Sequence, residues 1–286
     1  MNYKQIAKIY LVACLFLFLN YSNVFAQTEV QMLIEKAFEF EKQEKFSEAV
    51  SVYREVLKIV PDDASIYNNL GADYFELKNT EQAIFNLERS IKLDPTFEKA
   101  YFNLAVVYAS SNHNDKTLLL LQRVTEINST YIEARTKLCD IYLASGQTEN
   151  AVRCYEKLIS SAPADFQTYA NYGVALMHTK KLVDAVKVFE NVIENFSPNA
   201  EVLNNLGVCL LETKNFKQAV RALEQAVQIA PENNSMRYNL AIAQLFNKND
   251  SAALVQYSFL KKTDLKLAQK LFETINREKI ITVGSR

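Results

Sequence analysis

The sequence predicts an all-α protein, a solenoid of about seven helical hairpins closed by one further helix. Three observations carry that prediction. A segment recurs every 34 residues, prolines keep the same beat, and apolar residues within each repeat fall at helical spacing. Residues 67–95 read YNNLGADYFELKNTEQAIFNLERSIKLDP; 34 places on stands YFNLAVVYASSNHNDKTLLLLQRVTEINS, and from residue 203 LNNLGVCLLETKNFKQAVRALEQAVQIAP. Pro61, Pro95, Pro163, Pro198 and Pro231 mark the period, with Ser129 standing where one proline is skipped. Self-similarity at a fixed period of this size means stacked supersecondary units.

With the proline as position 32, the units lie near residues 30–63, 64–97, 98–131, 132–165, 166–199, 200–233 and 234–267. Apolar residues occupy positions 4, 7, 8 and 11, then 20, 24 and 27, three to four apart as a helix requires. Polar stretches such as Lys78-Asn79-Thr80 and Lys214-Asn215 separate the two runs, so each unit reads as a helical hairpin. Position 8 is always small: Ala37, Gly71, Ala105, Cys139, Gly173, Gly207 and Ala241. Position 20 is small too: Ala49, Ala83, Thr117, Ala151, Ala185, Ala219 and Ala253. Small residues at fixed points on both helices let the backbones approach, and larger residues at 11 and 24 fill the space around them. The proline then ends the second helix and restricts the residue before it.

This joint pattern at positions 8, 11, 20, 24 and 32 resembles the tetratricopeptide repeat over about residues 30–267. The resemblance implies a right-handed superhelix whose concave groove binds partners. Departures are local. No unit has Trp at position 4, Arg135 stands there in the fourth unit, Leu118–Leu121 form an apolar run in the third, and the seventh ends in Thr263-Asp264-Leu265 without a proline.

Residues 1–26 read as a secretory signal peptide rather than as part of the array of 30–276. Lys4 and Lys8 give a positive start, Ile9–Leu19 an apolar core, and Val24-Phe25-Ala26 a small-residue cleavage site before Gln27. Eleven apolar residues are too few to span a bilayer. The predicted product is periplasmic or secreted, with no stable membrane insertion after cleavage. A rival reading takes Leu11-Val12-Ala13-Cys14 as a lipoprotein box that anchors the chain through Cys14. At the other end, Asp264 caps a helix over 265–276 with Leu267, Leu271 and Ile275 in register. Such a helix covers the end of the stack, as repeat arrays need. Residues 277–286 carry no pattern and read as a loose tail.

Cleavage would leave 30 basic against 33 acidic residues, a net charge of about −3. That near-neutral balance gives no support to nucleic acid or an anionic membrane as partner. Three cysteines would remain: Cys139, Cys154 and Cys209. Cys139 and Cys154 stand on facing helices of one hairpin, which permits a disulfide. The reading preferred from the sequence is that they are small buried hydrophobes. His113 and His178, in different units, have no partner at ligand or triad spacing. No phosphate loop, nucleophile elbow or zinc motif occurs, so no enzyme, metal or cofactor is expected.

The remaining signal lies on the other side of the first helix of each unit, the side that lines the groove where the resemblance holds. Position 6 is Asn69, Asn103, Asn171, Asn205 and Asn239, broken by Glu35 and Lys137. Position 9 is largely apolar, including Val174, Val208 and Ile242, with Asp140 the exception. Position 12 includes Met177, Leu211 and Leu245. One reading is structural: Asn is common at position 6 of this repeat, and position 12 packs on the neighbouring hairpin. The other is a peptide groove in which amides bond an extended main chain and the apolar strip takes side chains. The amide column resembles the asparagine ladder of O-linked N-acetylglucosamine transferases, without any catalytic domain. A carboxylate clamp of the chaperone type would need Lys at position 5 of an early unit, where Ile34, Asn68 and Phe102 stand. The expected function is a non-enzymatic scaffold of the cell envelope that binds a protein or peptide segment. A carrier of a hydrophobic ligand and a regulatory subunit of an envelope enzyme are the alternatives.

Overall fold

The computed structural model describes residues 27–161, 163–197 and 199–284. The expected signal peptide, its cleavage site and Cys14 lie outside these residues. Among the described residues every regular element is a helix: α1 (27–42), α2 (Phe46–Ile59), α3 (Ala64–Glu76), α4 (Thr80–Leu93), α5 (Glu98–Ser110), α6 (Asn114–Ile127), α7 (Ile132–Ala144), α8 (Thr148–Ser161), α9 (Phe166–His178), α10 (Leu182–Asn195), α11 (Ala200–Glu212), α12 (Phe216–Ile229), α13 (Asn234–Phe246), α14 (Asp250–Thr263) and α15 (Leu265–Gly284). Odd-numbered helices open the repeats and even-numbered helices close them. No described helix is long and apolar enough to cross a membrane.

The reasons for these boundaries repeat with the sequence. Asp63, Asp165, Asn199 and Asn233 cap the odd helices α3, α9, α11 and α13 through side-chain oxygens that accept backbone N–H bonds. At the far end of each hairpin the residue at position 15 is left-handed: Glu44, Lys78, Asn112, Gly146, Lys180, Lys214 and Lys248 have φ from 57° to 73°. The next N–H reaches back to position 11, as from Asn215 to the Leu210 carbonyl at 2.8 Å and from Asn79 to the Tyr74 carbonyl at 2.8 Å. That reversal closes the first helix and starts the second in a few residues. Val60, Asp94 and Ala230, each just before a proline, leave helical geometry with ψ of 81°, 96° and 70°.

The small-residue columns do what their spacing predicts. Ala49, Ala83, Ala151, Ala185, Ala219 and Ala253 are all fully buried. They face position 8 of the partner helix, where Gly71, Gly173 and Gly207 meet Leu87, Phe189 and Leu223. Odd helices also pack on one another, α3 on α5, and α11 on both α9 and α13.

The sequence predicts one continuous array; the structure divides within α7 into two compact bodies, one through Ala134 and one from Arg135. Each repeat of a solenoid packs mainly on its neighbours, so no single core is shared along the chain. The first body has a core around Ala37, Tyr53, Leu70 and Leu87. The second has one around Tyr155, Phe189, Leu206 and Leu223, and a separate one around Ala241, Leu260, Leu271 and Ile275 at its end.

Two expectations change. The closing helix does not stop at 276: α15 runs to Gly284, through most of the segment read as a loose tail. It packs on α13 as well as α14, the place an eighth opening helix would take. Counted from Leu265 as the first residue of the helix, Ala268, Leu271 and Ile275 are buried as positions 4, 7 and 11 would be. Phe272, one residue on from Leu271, stays 48% exposed. The second change concerns the cysteines. Cys139 on α7 and Cys154 on α8 form a disulfide, with Cα atoms 5.3 Å apart. Their helices meet at the small-residue contact, which brings the two Cβ atoms within bonding reach. Cys209 is buried, and its thiol is pushed up to about 12, chiefly by that burial.

Candidate peptide-binding face

Within each body the position-6 asparagines are tied to position-5 asparagines and to side chains of neighbouring helices. In the first body Asn103 Nδ2 donates to Asn68 Oδ1 (2.9 Å), Asn68 Nδ2 to Asn69 Oδ1 (3.2 Å), and Asn69 Nδ2 to the Tyr53 hydroxyl (3.2 Å). Tyr53 in turn donates to Glu41 Oε1 at 2.7 Å. A single polar chain therefore crosses α5, α3, α2 and α1. In the second body Asn239 Nδ2 donates to Asn204 Oδ1 (2.9 Å), and Asn204 Nδ2 lies 3.5 Å from Asn205 Oδ1. Asn171 Nδ2 donates to Asp140 Oδ1 (2.9 Å), which also receives the Tyr155 hydroxyl (2.5 Å). Gln167 donates to Asn171 Oδ1 at 2.8 Å.

These bonds revise the role of the amides. A primary amide carries two N–H donors, and one of each pair is used here to hold an odd helix to its neighbour where Asn69, Asn103, Asn171 and Asn239 donate. The second donor is what remains for a ligand. Asp140, read from the sequence as an interruption, is instead the acceptor that anchors Asn171.

The apolar strip divides in the same way. Val174, Met177 and Leu211 are half-buried and pack against the core of the second body. Val208 is half-buried, and Ile242 is half-buried against the end core. Leu245, which the sequence places on the groove face, is only 9% exposed and belongs to that end core. That core is completed by Ala268, Leu271 and Ile275 of α15. Leu245 is therefore removed from the candidate contacts.

Sequence reading missed a buried acid. Asp73 on α3 is 3% exposed, and its Oδ2 has no hydrogen-bond partner. Burial, then the carboxylates of Glu41 and Glu76, push its carboxyl up to about 7. Burial also raises Glu41, against the lowering effect of the Tyr53 hydroxyl. The signal was present in the repeat: position 10 is Val107, Ile141, Ala175, Cys209 and Ala243 in the later units, whereas the first two units carry the acids Glu39 and Asp73. Among the described residues no group of acidic, histidine or cysteine side chains is placed to hold a metal ion.

Tetratricopeptide-repeat models match residues 64–97, 132–165, 165–232 and 210–257, and a TPR repeat model matches 39–77. Together they cover more than half of the chain. It belongs to the tetratricopeptide-repeat family. Every matching model is a repeat model, and no catalytic family is among them. A search of curated proteins finds no match. Among solved structures, MamA protein is 27% identical, with 58% of this chain and 90% of that chain covered at a TM-score of 0.52. YrrB, titled a TPR protein with an unusual peptide-binding site, is 17% identical, with 65% and 97% covered at 0.59. The C-terminal part of a TPR repeat-containing protein from Cytophaga hutchinsonii is 16% identical, with 83% and 98% covered at 0.65. These last two likenesses establish the shared repeat fold.

Proposed function

We propose that this tetratricopeptide-repeat protein is a non-enzymatic adaptor of the cell envelope or exterior that holds a peptide or protein segment along its odd-numbered helices. The observation that carries the reading is the pairing of amide and apolar residue on α9, α11 and α13. Asn171, Asn205 and Asn239 stand three residues before Val174, Val208 and Ile242, and all six side chains are half-buried rather than closed over. An amide with a donor to spare beside an apolar side chain suits a segment that presents main-chain carbonyls and side chains in alternation. The same fold carries a peptide-binding site in YrrB, as its title states.

Export is part of the proposal. The disulfide between Cys139 and Cys154 supports an oxidising compartment, since such bonds persist outside the cytosol. The signal-like residues 1–26 point the same way. Intact-mass measurement of secreted protein should give a chain starting at Gln27; a lipidated start at Cys14 would indicate an anchored form instead.

A photo-crosslinking residue at Val208 tests the adaptor role in the producing cell. The expected result is a discrete protein adduct from position 208 and none from exposed Lys217 on α12. Adducts from Lys217 alone would place the partner on the closing helices and overturn the reading.

A further inference from the structure

The first body differs from the second in the charge of its face. On α1 and α3, Glu35, Glu41 and Glu76 stand at positions 6, 12 and 13, and Asp73 is buried on α3. Glu76 is exposed and Glu41 partly so. Both carboxylates, from two helices, add to the burial that raises the Asp73 carboxyl. Of the nearby cations, Lys42 pairs with Glu39 at 3.7 Å, Arg54 donates to the Tyr74 hydroxyl at 2.5 Å, Lys45 donates to Gln43 Oε1 at 2.9 Å, and the Lys36 and Lys78 ammonium groups lie over the Phe40 and Phe75 rings. The Tyr53 hydroxyl from α2 satisfies one Glu41 oxygen. Asp73 Oδ2 remains without a donor, and a buried acceptor left unpaired is costly. One turn from Glu41, the Phe38 ring is 43% exposed, an apolar surface of the kind on which the stem of a long cation rests.

We propose that the first body takes a lysine or arginine side chain of the bound segment between α1 and α3, over Glu41, Asp73 and Glu76. This rests on the groove reading and adds the chemistry of one partner residue. The cation donates to the accessible Glu41 and Glu76 carboxylates and acts on the buried Asp73 carboxyl through its charge. It also favours the charged form of Asp73, so binding releases a proton and strengthens as pH rises from 6 to 8.

A random dodecapeptide phage library selected on the full chain tests this, followed by titration of labelled synthetic peptides. The expected winners carry a basic residue beside apolar ones. Replacing that residue by norleucine should weaken binding at least tenfold, and so should the Glu41→Gln/Glu76→Gln chain. Both substitutions are at solvent-accessible positions, and circular dichroism confirms the fold. The Asp73→Asn chain should lose the rise in affinity between pH 6 and 8. Basic peptides that bind the Glu41→Gln/Glu76→Gln chain unchanged would overturn the proposal. Peptides that lack a basic residue and are lost only on Val208→Asp would overturn it while supporting the groove. If no peptide is enriched, the groove reading falls with it.

Discussion

The edge of the Phe189 ring lies where a methyl group on Gly173 would have to go. The same relationship joins Leu223 to Gly207 and Leu87 to Gly71, so positions 8 and 24 of a repeat share one volume. Glycine in a helix ordinarily costs roughly 0.5–1 kcal/mol relative to alanine. At Gly173 the sign should reverse, because forcing a methyl into a packed core costs about 1–3 kcal/mol. Gly173→Ala is expected to lower the denaturation midpoint. Ala219→Arg, at the opposite side of the same kind of contact, should lower it further. A Gly173→Ala chain that melts above wild type would show that the ring is free to move aside.

The turn at position 15 makes a paired prediction. Gly146 has φ of 73° with open space around its Cα, whereas Lys214 holds φ of 63° with a side chain. A left-handed residue with a Cβ costs on the order of 1–2 kcal/mol, and glycine escapes that cost. Gly146→Ala should therefore destabilise and Lys214→Gly should be neutral or stabilising. Chemical denaturation of both variants checks the two signs together.

Asp73 predicts how stability responds to pH. Its folded carboxyl titrates near 7, above the ordinary carboxylate value of about 3.9. Between those values the folded chain keeps a proton that the unfolded chain gives up, so stability falls as pH rises. The contribution is fully present below about pH 4 and is lost by the time pH passes 7. Each tenfold difference in proton affinity between the folded and unfolded chain corresponds to about 1.4 kcal/mol. Asp73→Asn should flatten the fall between about pH 4 and 7, and urea melts across that range would show it. Parallel pH profiles for the two chains would contradict the burial of this acid.

The bridge between Cys139 and Cys154 spans 15 residues of sequence. Closing a loop of that length restricts the unfolded chain by about 3 kcal/mol in the entropic account. Reduction, or Cys139→Ala with Cys154→Ala, should lower the stability of the second body by up to that amount. A melt indifferent to reductant would mean the bridge is absent.

Most of the fold was legible because its cause repeats. Ala83, Ala151, Ala185 and Ala219 could be named as helix contacts from spacing alone, since a buried 34-residue period admits few substitutes. Three things were not legible. The end of α15 was missed because residues 277–284 carry no repeat-like pattern, and helix propensity without a buried stripe is a weak signal. The disulfide was undervalued because Cys139 fills a small-residue position that a reduced thiol would suit equally well. The amides were seen but their bonds were not. A pattern fixes which face Asn205 shares, while the Asn239–Asn204–Asn205 relay depends on the offset between adjacent helices, which no single repeat encodes.

The relay changes what the groove variants should do. One hydrogen bond contributes a net ~0.5–1.5 kcal/mol, so the spare donors of Asn171, Asn205 and Asn239 supply a few kcal/mol at most. That alone corresponds to millimolar binding or weaker, so affinity must come mainly from apolar burial beside them. Asn205→Ala should weaken binding of a captured partner modestly. Val208→Asp places a charge in the apolar strip and should nearly abolish binding. Asn204→Ala is the added control: it removes the acceptor for Asn239 Nδ2 and leaves Val208 in place. Its expected effect is a small loss of stability with affinity close to that of Asn205→Ala. Titration calorimetry with circular dichroism on all three chains separates these outcomes. Unchanged affinity in a folded Val208→Asp chain would remove the odd-helix face as the binding surface.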